Sequence, residues 1–139
     1  MGQAATVLYT AKTNTTGGRE YGLSRSSDGR LDVRLSTPGS ARIGANPEQL
    51  FAAAWSASFE SAIAIAARER KIVPPAESSI EAEVDLILGD AGYFLSARLT
   101  VTLSGLERDA AKDLVADAEN ICPYSKAMRG NMAVTITLV

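Results

Sequence analysis

The sequence predicts an α+β fold with the element order βββ-α-ββ-α-β and a buried central helix. Three observations carry this. Ile80–Leu88 and Leu95–Leu103 alternate apolar with mostly polar residues, the period of a strand with one wet face. A helix from Pro47 to about Arg70 has a centre that is apolar nearly all round, the mark of a buried helix rather than a surface one. Before it, turn and loop residues break the N-terminal third into short β-rich pieces. At 139 residues the chain is expected to form a single domain, 1–139, burying ~68% of its unfolded surface.

The elements follow in order. Thr6–Lys12 mixes β-branched, aromatic and aliphatic residues and reads as the first strand. Asn14–Gly18 is a loop by composition, and Tyr21–Ser26 returns as a strand. Ser27-Asp28-Gly29-Arg30 is a turn, its Asp-Gly pair favouring a tight hairpin. Leu31, Val33 and Leu35 alternate with polar residues, and Ser36–Ala45, with Pro38, Gly39 and Gly44, is a loop. Asn46 suits an N-cap, Pro47 the first helical position, and Gln49 completes a capping-box-like pattern. Pro74-Pro75 stops that helix. The alternating runs then form a hairpin around Gly89–Gly92. Leu106, Ala110, Leu114, Val115 and Ala118 have helical spacing, Pro123–Met128 suits a short helix, and Met132, Val134, Ile136 and Leu138 close with a strand.

Composition removes several function classes. Net charge is −2 with no basic stripe, which argues against phosphate-neutralising nucleic acid binding. Residues 1–25 lack the roughly 7–15-residue apolar core of a signal peptide. Ser56, Ser58, Glu60 and Ser61 interrupt Leu50–Ala67, so no membrane span and a cytoplasmic location are expected. The absence of histidine excludes imidazole catalysis and histidine metal sites, and a single cysteine excludes CxxC and an internal disulfide. No dinucleotide or phosphate loop pattern occurs. Glu81, Glu83 and Asp85 read as a solvated strand face, so no metal is expected.

The single cysteine, Cys122, opens Cys122-Pro123-Tyr124-Ser125, followed by Arg129-Gly130-Asn131. A helix starting at Pro123 would favour a thiolate at its N-terminus, whereas the bland reading is a small buried hydrophobe. At 100° per residue Phe51, Trp55, Ser58, Ala62 and Ile65 share one helix face, where a serine ordinarily bonds a carbonyl one turn back. Arg19, in Thr16-Gly17-Gly18-Arg19-Glu20, reads as a solvated loop arginine, and Glu48 as a first-turn helix-dipole carboxylate. Glu60 suits a helix edge near a subunit contact. Met128, Met132, Phe51, Trp55 and Phe94 are core types, some of which would line an apolar pocket.

Asn46-Pro47-Glu48-Gln49-Leu50-Phe51 leading to Ser58, together with the Cys122 and Arg129 segments, resembles the organic hydroperoxide resistance branch of the OsmC family, small thiol peroxidases. The match is dense over Pro38–Phe59 and Cys122–Leu138, and Tyr124 and Phe51 favour this branch over its osmotically induced relative. The resemblance implies an OsmC-like fold in an intertwined homodimer with two sites at the subunit interface. It places the peroxidatic cysteine at Ser58 and makes Cys122 the resolving one. Arg19 would hold the reactive sulfur as a thiolate, Glu48 would orient Arg19 with some help from Gln49, and Phe51 and Trp55 would line the substrate pocket. The substrate would be an organic hydroperoxide. No bound cofactor is implied, but an external dithiol such as protein-bound dihydrolipoamide would act as reductant.

Ser58 departs from that pattern. A serine is no thiolate, and an alkoxide needs a strong base that a chain without histidine lacks. The protein as given is therefore expected to be inert. A Cys→Ser substitution made to trap the reduced or ligand-bound form would leave this residue, and so would a natural serine variant. The second class of function is a non-enzymatic module binding apolar or lipid-like ligands in the same pocket.

Overall fold

A computed structural model describes residues 4–139, which fall into two compact units, one ending at Pro47 and the other running from Glu48 to Val139. The first unit holds an antiparallel sheet of β1 (Thr13–Thr16), β2 (Leu23–Ser26) and β3 (Asp32–Arg34), in that order, with a single-turn helix α1 (Gly18–Tyr21) after β1. The first strand therefore lies later than predicted. Thr13, Thr15 and Thr16 are β-branched, and Thr15 pairs with Ser24 across the sheet through hydroxyls 2.8 Å apart. The predicted strand at 6–12 has no strand partner among the described residues, and Val7, Leu8 and Tyr9 are 80, 87 and 85% exposed. The chain leaves β1 through Gly17 at φ 78°, where an added Cβ would stand 2.6 Å from the Tyr21 carbonyl oxygen.

The Asp-Gly turn forms as predicted. Asp28 accepts from the Ser26 hydroxyl and the Arg30 N–H, which hold its carboxyl below the usual range, and Gly29 takes φ 75°. Residues 36–45 fold back rather than projecting as an open loop. Leu35 bridges Ala45, and Arg42 donates to the carbonyls of Leu35 (2.9 Å) and Gly22 (3.1 Å).

The second unit is built on α2 (Pro47–Glu69), a hairpin of β4 (Ser78–Gly89) and β5 (Gly92–Leu103), α3 (Arg108–Ile121), α4 (Pro123–Met128) and β6 (Ala133–Leu138). The hairpin is paired from Ser78↔Leu103 to Gly89↔Gly92, so Asp90-Ala91 is its two-residue turn. β6 runs parallel to β5, giving the sheet order β4-β5-β6. Ala97, Leu99, Val101 and Leu103 of β5 face the core, as their alternation predicts. They meet Trp55, Phe59, Ala62, Ile63, Ala66 and Ala67 of α2, and Ala111, Leu114, Val115 and Ala118 of α3.

α2 ends before the prolines, in a tight wrap. Lys71 takes φ 60° and the Ile72 N–H reaches back to the Ala67 carbonyl at 2.8 Å. One face of α2 is buried, while Ala53, Ala57, Ser61 and Ile65 on another stripe stay exposed. Its serines and Glu60 do not disqualify it by length and composition as a membrane span, but the face carrying Trp55 and Phe59 forms this unit's core.

Candidate functional site

Cys122 sits where α3 hands over to α4, with extended backbone (φ −63°, ψ 118°). Pro123 at the first helical position permits the change of direction, since it has no N–H to satisfy there. The Cys122 N–H donates to the Ala118 carbonyl at 2.8 Å, and its own carbonyl accepts from Lys126 at 3.1 Å. The side chain is fully buried, and its Sγ donates to Ser58 Oγ at 3.5 Å. The serine bonded to carbonyls one turn back is instead Ser56, at 2.7 Å from the Ala52 oxygen. Ser58 is half-buried on α2, at the margin of the core face.

One turn earlier on α2, Trp55 is fully buried and donates Nε1–H to Ser125 Oγ at 3.0 Å. Phe51 meets Trp55 edge-on, with centroids 5.8 Å apart. Trp55 also lines a cavity of about 310 Å³, with Ser125, Glu119, Arg129, Met132 and Ile136 among its walls, whereas Phe51 does not. Arg129 Nη2 donates to the Glu119 carbonyl at 2.8 Å and to Asn120 Oδ1 at 3.3 Å. Ser125 had a place in the sequence motif but no role. Its spacing of three from Cys122 is the signal that it shares a helical side with the thiol.

The remaining candidates are placed as follows. Ser58 and Cys122 come together. Glu48, half-buried in the first turn of α2, lies ten residues before Ser58, about 15 Å along the helix axis. Arg19 lies on α1 of the first unit, and Gln49 beside Glu48 is exposed. Ile65, expected on the Ser58 face within the core, is 41% exposed, because the core contact of α2 shifts to Ile63, Ala66 and Ala67 towards its end. Phe94 is not core but 53% exposed, since it pairs with Ile87 near the hairpin tip, past the buried part of β5. Glu60 accepts from the Ser78 hydroxyl at 2.9 Å. Asp85 is bound by both terminal nitrogens of Arg98 (2.7 and 2.9 Å) and by Ser96, which hold its carboxyl far below the usual range. Among the described residues no three metal-binding side chains converge.

The family described as OsmC-like protein matches residues 37–137. The organic hydroperoxide resistance protein of Xanthomonas axonopodis pv. citri is 43% identical over 136 residues, 95% of each chain. Among solved structures, the organic hydroperoxide resistance protein OhrB of Bacillus subtilis superposes with a TM-score of 0.89 at 40% identity, covering 96% of this chain and all of that one. An organic hydroperoxide resistance protein of Legionella pneumophila gives a TM-score of 0.88 at 39% identity, covering 96% and 98%.

Proposed function

The chain belongs to the OsmC-like family, in its organic hydroperoxide resistance branch, and we propose that it is the frame of a thiol peroxidase for organic hydroperoxides. The observation that carries the reading is the 3.5 Å approach of Cys122 Sγ to Ser58 Oγ, two side chains 64 positions apart. With sulfur at position 58, a thiolate there attacks the distal oxygen of the hydroperoxide. The O–O bond breaks, an alcohol leaves, and the sulfur becomes a sulfenic acid. The Cys122 thiol then displaces water from it and closes a disulfide, which requires the sulfurs to move roughly 1.5 Å closer. An external dithiol, of which a lipoyl group is one, takes the disulfide back to two thiols and is itself oxidised. A reducing cytoplasm suits such a cycle.

Arg19 is proposed to hold the thiolate and Glu48 to orient Arg19. Since Glu48 is about 15 Å from Ser58 along one helix, its part at the sulfur calls for the Glu48 of a second copy. The apolar residues near Ser58 favour alkyl or fatty-acid tails, at about 25 cal/mol per Å² buried. With serine at 58 the first step is lost.

The test is turnover of tert-butyl hydroperoxide with a dithiol. Ser58→Cys should consume it, in preference to hydrogen peroxide, while the chain as given stays inert. Equal turnover by both would refute the assignment. Ser58 itself favours the second reading, a non-enzymatic module for apolar or lipid-like ligands. Saturable fatty-acid binding without turnover in Ser58→Cys would support that alternative.

A further inference from the structure

α4 is a six-residue helix with no fully buried residue of its own, yet Cys122 at its head is fully buried. Core packing holds it only at its ends, through Cys122 and the half-buried Met128. Two bonds to α2 are available, and their spacing matches. Trp55 and Ser58 are three apart on α2, and Ser125 and Cys122 are three apart across the start of α4. The first of each pair meets the first of the other at 3.0 Å, and the second meets the second at 3.5 Å. Two points of attachment fix both the position and the rotation of a short helix, where one would leave a pivot. Behind it, Arg129 ties the end of α4 to α3 through the Glu119 carbonyl.

We propose that Ser125 and Trp55 are positioning residues: their hydrogen bond clamps α4 so that Cys122 stays against position 58. The proposal deepens the thiol peroxidase reading and rests on it for its redox consequence, but its structural half stands on the chain as given. A buried indole N–H needs some partner in any case. The distinguishing claim is that losing this partner frees Cys122 locally rather than merely lowering global stability.

Because Cys122 is the only cysteine, modification by dithiobis-nitrobenzoate reads it alone. The Cys122 thiol gives its proton to solvent and attacks the reagent disulfide. That S–S bond breaks, one coloured aryl thiolate leaves, and a mixed disulfide forms. A buried thiol reacts only when it opens, so the rate reports the opening equilibrium. In the absence of denaturant Ser125→Ala should speed the reaction roughly threefold to tenfold, the range expected for one net hydrogen bond. Ser125→Thr, which keeps the hydroxyl, should restore the slow rate. Trp55→Phe should speed it similarly, and the double variant should add little, because both remove the same bond. An unchanged rate in Ser125→Ala overturns the proposal. So does an increase confined to the denaturant-dependent part of the rate, which would mark a global effect.

A second measurement uses the Ser58→Cys background in glutathione buffers, without peroxide. The two protein thiols reduce one oxidised glutathione to two reduced ones and form the 58–122 disulfide. Ser125→Ala should lower the effective concentration of that pair by a similar factor. If this factor appears while Ser58→Cys shows no peroxide turnover, the clamp stands and the peroxidase reading falls. If turnover appears and neither measurement responds to Ser125→Ala, the clamp falls alone. Failure of the disulfide to form at all overturns the redox role of the clamp.

Discussion

At position 58 one atom separates a residue that can ionise near neutral pH from one that cannot. The surrounding charge matters only once sulfur is there. In the Ser58→Cys background, the role proposed for Arg19 predicts that Arg19→Ala moves the iodoacetamide alkylation profile to higher pH, because a cation beside a sulfur favours its thiolate. Glu48→Ala should slow the peroxide reaction less than Arg19→Ala does, since the part proposed for it is to orient Arg19. An alkylation profile that ignores Arg19→Ala removes Arg19 from the site. Trp55 carries weight of a different kind. It is fully buried, edge-on to Phe51 and hydrogen-bonded to Ser125. Trp55→Ala should lower unfolding free energy by about 3–5 kcal/mol, read from urea midpoints at constant slope.

Among the elements, α2 ends in a conformation that its sequence does not favour. Lys71 is the one non-glycine described residue with positive φ. Lys71→Gly should therefore stabilise the protein by up to about 1 kcal/mol, visible as a higher denaturation midpoint. The β4–β5 hairpin carries a pH-dependent tie. Arg98 and Ser96 hold Asp85 in its charged form far below the usual carboxylate range. A depressed folded pKa means that the contribution is full above the unfolded value, about 3.9, and is lost as pH falls through the folded one. Asp85→Asn should thus be less stable than the unsubstituted chain at pH 7, with the gap narrowing on acidification. A gap that widens towards low pH would contradict this. Element identity was legible for the long hairpin and for α2, where period and length agree. It failed at the first strand, because Thr6–Lys12 has the better composition but Thr13–Thr16 has the partner.

At the scale of the whole molecule, the proposed homodimer would have exposed apolar groups to cover. Val7, Leu8 and Tyr9 are exposed, as are Leu88 and Tyr93 at the hairpin tip and the Ala53–Ala57–Ser61–Ile65 stripe of α2. A helix apolar nearly all round, buried on one face within its own unit, suits a fold whose other cover comes from a symmetric partner. Sedimentation at micromolar concentration should give a mass near twice 14.6 kDa. A clean monomer would remove both this assembly and the proposed route by which Glu48 reaches the sulfur.

The sequence by itself determined the strand and helix periods, the end of α2 close to Arg70 and ahead of Pro74-Pro75, the absence of imidazole chemistry and, through its motifs, the family. These are local properties, written in residue order. The meeting of Cys122 with Ser58 was implied by the family motif and is seen at 3.5 Å, whereas Trp55 with Ser125 and Arg98 with Asp85 were decided only by the tertiary structure. It also decided which stretch became the first strand. A local pattern marks which face of an element is buried, but a side-chain hydrogen bond depends on a partner far away in the chain, which no local pattern names.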